Sequence, residues 1–146
     1  MVAKVLEKFQ QHVLEDHSMA DRGKHILYIE DNAEMIDLVE IILGTKGYKV
    51  TGVLGGAEGW KSIQELLPDL VLLDLMMPDV DGWEVYQNIR DTEATQHIPV
   101  VVITAKAQQI DRVLAENVAG VQGYLPKPFK NVELLKLVQE VLGTPA

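Results

Sequence analysis

Asp69-Leu70-Val71-Leu72-Leu73-Asp74-Leu75 decides the fold of this chain. Four apolar residues in succession leave no polar face, so a strand built from them must be covered on both sides, as strands of parallel sheets are. The stretch predicts a strand over residues 69–75 with Asp74 near its carboxyl end. Pro78-Asp79-Val80-Asp81-Gly82 follows, a cluster of turn formers that carries the chain away from the sheet.

The pattern continues in both directions. Upstream, His25-Ile26-Leu27-Tyr28-Ile29 forms a first strand candidate that ends in the acidic pair Glu30 and Asp31. Residues 33–46 place Met35, Ile36, Leu38, Val39, Ile42 and Leu43 at helical spacing, with Asn32 positioned to cap them and Gly47 to end them. Residues 48–54 read as a second strand, and residues 56–67 as a second helix stopped by Pro68. Downstream, a helix runs from Gly82 to about Arg90. Residues 98–104 repeat the buried-strand pattern, and residues 109–118 suit a helix. A last strand over 121–125 leads to a helix over 131–142, closed by Gly143 and Pro145.

Five strand–helix units in a row imply an α/β fold, a doubly wound five-stranded parallel sheet with helices on both faces. The common strand order for five strands is 2-1-3-4-5. It puts the reversal point, where such sheets bind ligands, between the carboxyl ends of strands one and three. Those ends carry Glu30, Asp31 and Asp74. An Asp at one strand end is ordinarily a cap or a turn former. Convergence of three carboxylates from segments far apart in the chain has no packing explanation. Like charges so close repel unless a cation joins them, and a hard, oxygen-liganded Mg²⁺ held together with a phosphate is the natural guest. Thr104 and Lys127 end strands four and five on the same edge of the sheet. Read together, the five residues make a phosphoryl-transfer site with Asp74 as the attacking group.

Bulk properties narrow the rest. The chain has 146 residues, room for one domain, and its 47% hydrophobic and 24% charged content is that of an ordinary globular protein. Thirteen basic residues against 22 acidic ones give a net charge of −9, which argues against direct binding to nucleic acid or an anionic membrane. With no cysteine, thiolate zinc sites and cysteine nucleophiles are excluded. Runs such as residues 70–73 and 98–105 are too short to span a bilayer. Lys4, Glu7 and Lys8 interrupt any signal-peptide core, so a cytoplasmic location is expected. No Walker-type phosphate loop, H-E-x-x-H or G-x-S-x-G motif occurs.

Four motifs, Tyr28-Ile-Glu-Asp-Asn32, Leu70-Val-Leu-Leu-Asp-Leu-Met-Met-Pro-Asp-Val-Asp-Gly82, Val101-Val-Ile-Thr-Ala105 and Gly123-Tyr-Leu-Pro-Lys-Pro-Phe129, resemble the receiver domains of two-component response regulators. The resemblance runs from about Lys24 to Leu142. It implies a flavodoxin-like fold and a signalling switch rather than an enzyme with conventional turnover. It also assigns roles. Asp74 is the phosphoacceptor, Asp31 binds Mg²⁺ directly, Glu30 acts near the ion through water, and the backbone carbonyl of Met76 supplies a further ligand. Thr104 and Lys127 contact the phosphoryl group. Tyr124 rotates inward when Thr104 is drawn toward it, and Lys127–Pro128 is a cis peptide. Met76 and Lys106 occupy positions that tune water access. The first acidic position is Glu30 where Asp is more usual. Gly120-Val-Gln-Gly123 stands where DNA-binding relatives carry a small residue and an acidic pair, which leaves the dimer face open.

The implied partners are a sensor histidine kinase or phosphotransfer protein and a downstream target protein, with a homodimer possible. Residues 24–146 form the receiver and residues 1–23 an extension, in which Val2, Leu6, Phe9 and Val13 would give a helix an apolar stripe. That extension either docks on the domain, pairs two chains, or is an appended start before Met19. Four residues after Leu142 suggest a stand-alone receiver, whose docking face is the fourth helix, fifth strand and fifth helix. Two other classes compete. An aspartyl-phosphate phosphatase or phosphotransferase needs a carboxylate two residues beyond the nucleophile, and Met76 stands there. A degenerate receiver would lack one of Asp31, Asp74, Thr104 or Lys127, and all four are present.

Overall fold

The computed structural model describes residues 23–105 and 121–143. Strands β1 (His25–Glu30), β2 (Lys49–Leu54), β3 (Leu70–Leu73), β4 (Val100–Thr104) and β5 (Gly123–Pro126) form one sheet in the order β2-β1-β3-β4-β5. Every pairing is parallel. Helices α1 (Ala33–Gly44), α2 (Gly56–Leu66), α3 (Gly82–Asp91) and α4 (Asn131–Leu142) are the four among the described residues. The helix expected over 109–118 and the extension over 1–22 lie outside them.

Alternation along the strands builds two cores. Ile26 and Tyr28 of β1, Leu70 and Leu72 of β3, and Val101 and Ile103 of β4 face α1 and α4, where Val39, Leu43, Leu134 and Val138 cover them. Leu27, Ile29, Val71, Leu73, Val100 and Val102 point to the opposite side, against Ile63 of α2 and Val85 and Ile89 of α3. All four β3 residues are buried, as an unbroken apolar strand covered by two helical layers must be. The expected doubly wound sheet, with helices on both faces, is the fold of this chain.

Element ends differ from the sequence reading for local reasons. Helix α1 stops at Gly44 rather than residue 46, since Thr45 closes it through its N–H to the Ile41 carbonyl (3.2 Å) and Gly47 takes the left-handed conformation (φ 89°). Asn32 caps the other end as expected, its side chain accepting from Met35 N–H at 3.1 Å. Strand β4 begins at Val100 rather than Ile98, after a proline that offers no N–H to a ladder. Strand β5 begins at Gly123 rather than Val121. The side chain of Gln122, just before it, accepts from Val100 N–H at 2.8 Å.

Strand β3 is the instructive case. It ends at Leu73, two residues short of the predicted 75. The last rung is made by Asp74 N–H, which donates to the Ile29 carbonyl at 3.0 Å. Beyond it the chain turns off the sheet, so Asp74 sits at the corner.

Candidate functional site

Neighbouring strands β1 and β3 deliver their carboxylates to one edge. Glu30 ends β1 and is buried, Asp74 follows β3 and is buried, and Asp31 lies one step farther out and is exposed. One carboxylate oxygen from each of the three lies within 4.8 Å of the others. The three residues brought together are the three that the strand-end argument selected.

The helix start opposite comes very close. A Cβ on Gly82 would stand 2.5 Å from the Asp74 carbonyl oxygen and 2.6 Å from Leu75 Cα, so only glycine lets α3 begin there. Asp81 caps that helix through Trp83 N–H at 2.8 Å. Asp74 itself is oriented by Met76 N–H, which donates to Oδ1 at 3.1 Å.

Lys127 reaches in from the end of β5. Its Nζ lies 2.7 Å from Glu30 Oε2 and 3.5 Å from Asp74 Oδ2. Lys127 N–H donates to the Thr104 carbonyl at 2.9 Å, and Lys127–Pro128 is cis, as the family resemblance implied. Thr104 is buried at the end of β4, whereas the Tyr124 side chain is 43% exposed on β5 and so points outward. Met76, also largely exposed, lines an open cleft of about 510 Å³ together with Asp31, Met77 and Asp81.

Electrostatics follow from this burial. Desolvation pushes the Glu30 carboxyl above the usual carboxylate range, and the Lys127 hydrogen bond opposes the rise. The Tyr28 phenol is raised as well, by burial first and by the Glu30 charge second, so it keeps its proton and acts as a donor. Its hydroxyl donates to Glu30 Oε2 at 2.9 Å. Three carboxylates against one ammonium leave an excess of negative charge on an all-oxygen donor set. That is the chemistry a hard divalent cation requires, so these residues fit Mg²⁺.

Two residues escaped the sequence reading. Tyr28 looked like another buried apolar residue of β1, though a tyrosine two positions before an acid on one strand must share its face. Asp79, read as a turn former, accepts from Gly56 N–H and Ala57 N–H, each at 3.1 Å, and so caps α2 from the β3–α3 loop. Gly55, at φ 89°, stands where the helix has no side-chain cap of its own. No spacing in the sequence announces that contact.

A family model described as the response regulator receiver domain matches residues 26–139. The chain is 41% identical over 117 residues to the DNA-binding dual master transcriptional regulator RpaA of Synechocystis sp., covering 80% of this chain and 48% of that protein. It is 35% identical over 116 residues to the DNA-binding response regulator MtrA of Mycobacterium tuberculosis, covering 80% and 49%. The chain thus spans about half the length of the curated relatives it matches. Among solved structures, the receiver domain of sensor histidine kinase PA1611 from Pseudomonas aeruginosa, with a magnesium ion coordinated in its active-site cleft, aligns with a TM-score of 0.75. That alignment has 36% identity and covers 83% of this chain and 98% of that one.

Proposed function

The chain belongs to the response regulator receiver domain family of two-component signalling, and from that membership we propose that it is a switch phosphorylated on Asp74. One observation carries the reading: Asp74, Glu30, Asp31 and Lys127 meet at the strand edge between β1 and β3. A site of this composition suits phosphoryl transfer, where positioning and charge neutralisation do most of the work.

Asp74 attacks phosphorus through a carboxylate oxygen; Oδ1 accepts from Met76 N–H, and Oδ2 faces Lys127. The new O–P bond forms as the bond to the donor's leaving group breaks, and the leaving group departs with its electron pair. The Lys127 ammonium, 3.5 Å from Oδ2, neutralises charge on the incoming phosphoryl oxygens. Thr104, at the end of the adjoining strand, donates its hydroxyl to one of those oxygens, and Tyr124 turns inward to fill the space that Thr104 vacates. Asp31 and Asp74 would hold Mg²⁺ together with the Met76 carbonyl, and Glu30 would help through water. When bound, that ion supplies charge neutralisation for the phosphate.

The donor is a sensor histidine kinase or a phosphotransfer protein, and the output is a changed surface that a downstream protein recognises. The acidic balance of the chain supports protein rather than nucleic-acid docking by this domain. The stand-alone reading gains no support from relatives twice the matched length. Among the described residues, no helix is long and apolar enough to cross a membrane.

Incubation with acetyl phosphate and Mg²⁺, followed by intact mass, tests the proposal. The wild type should gain one phosphoryl group, and removal of Mg²⁺ by chelation should prevent the gain. Asp74→Asn should gain none while keeping its fold by circular dichroism. Equal labelling of that variant would overturn the acceptor assignment.

A further inference from the structure

We infer that Tyr28 is a positioning residue for the divalent-cation site and that it acts through Glu30; this deepens the reading above and rests on it. Glu30 Oε2 receives two donors, the Tyr28 hydroxyl at 2.9 Å and Lys127 Nζ at 2.7 Å. Both contacts fall on the same oxygen. Oε1 is left without a protein donor among the described residues, on the carboxylate that clusters with Asp31 and Asp74. A carboxylate engaged in that way cannot spin about its last bond, so its second oxygen is presented in one direction before any ion arrives.

The anchor is stiff. Tyr28 is fully buried in β1, and its ring lies in the core that α1 and α4 cover through Val39, Leu43, Leu134 and Val138. Ring and carboxylate are two residues apart on one strand, and therefore on one face of the sheet. A phenol fixed by packing at one end and bonded to a metal-site carboxylate at the other works as an outer-shell partner. Partners of direct ligands typically alter metal affinity by about 10- to 100-fold; Glu30 works through water, so the effect of its partner falls at the low end of that range. Lys127 alone is a weaker anchor for Glu30, because its flexible stem also reaches Asp74.

Tyr28→Phe keeps the ring and removes only the hydroxyl, so the core should survive. The probe is Mn²⁺, with the free ion counted by electron paramagnetic resonance on the full chain. Loss of the hydroxyl should raise the dissociation constant about tenfold, at the lower end of the outer-shell range. Phosphoryl uptake from acetyl phosphate should slow at limiting Mg²⁺ and return to the wild-type rate at saturating Mg²⁺. In a Glu30→Gln background the same Tyr28→Phe change should leave the dissociation constant unmoved, since two groups acting as a unit are not additive. Wild-type affinity in Tyr28→Phe would overturn the inference. An equal loss in both backgrounds would do so too, because it would mark a packing effect. Absence of Mn²⁺ binding by the wild-type chain would instead strike the metal reading itself, and the inference with it.

Discussion

At the scale of single residues, Lys127 sits between two carboxylates. In the unphosphorylated chain its ammonium is held closer to Glu30 than to Asp74, 2.7 Å against 3.5 Å. A phosphoryl group on Asp74 would offer it a stronger acceptor and draw it away. Lys127→Ala should therefore keep Mg²⁺ binding, because the carboxylates remain and lose a competing cation. It should lose most of the conformational response to phosphorylation. Amide chemical shifts recorded with and without beryllofluoride would show this, and a full wild-type shift pattern in the variant would contradict it. Much of the site could be read from the residues because its acids stand at strand ends, where a buried apolar run gives way to a polar residue. Tyr28 could not be read in that way. Its ring obeys the hydrophobic pattern of β1, and the one sign of its contact is that it stands two residues before Glu30, on the same face of the strand.

At the scale of elements, the β3–α3 loop serves both the site and its neighbour α2. Asp79 accepts from Gly56 N–H and Ala57 N–H, and these bonds hold its carboxyl below the usual carboxylate range. A carboxyl depressed by folding contributes stability above its unfolded pKa, and that contribution fades as pH falls through the folded value. Asp79→Ala should thus unfold at lower temperature than wild type near neutrality, with the gap narrowing below about pH 4. Thermal melts across that range would check it, and a gap independent of pH would contradict it. Hydrophobic period placed all five strands and the four described helices. It misjudged ends where hydrogen bonding decides: β3 stops at Leu73 because Asp74 makes the last rung, and α1 stops at Gly44 because Thr45 closes it. The Asp79 contacts join the β3–α3 loop to the first residues of α2, 23 and 22 residues away, and leave no periodic trace.

At the scale of the whole molecule, a ligand that binds only the folded chain must stabilise it. The cation site gathers carboxylates from β1 and β3, strands the unfolded chain does not hold together, so Mg²⁺ should raise the melting temperature. At ten times its dissociation constant the gain is about 1.4 kcal/mol, or roughly 4 °C for a domain of this size. Asp31→Asn should lose most of that gain at the same Mg²⁺ concentration, and a wild-type shift in the variant would remove Asp31 from the site. The two cores lie on either side of the sheet, and the proposed switch depends on which atom receives the phosphoryl group. The most direct measurement is borohydride reduction of the phosphorylated chain, which converts an aspartyl phosphate to homoserine, followed by peptide mass mapping. Asp74 as the acceptor predicts homoserine at position 74 and nowhere else. Reduction at Asp31, Asp79 or another carboxylate, with Asp74 intact, would contradict it.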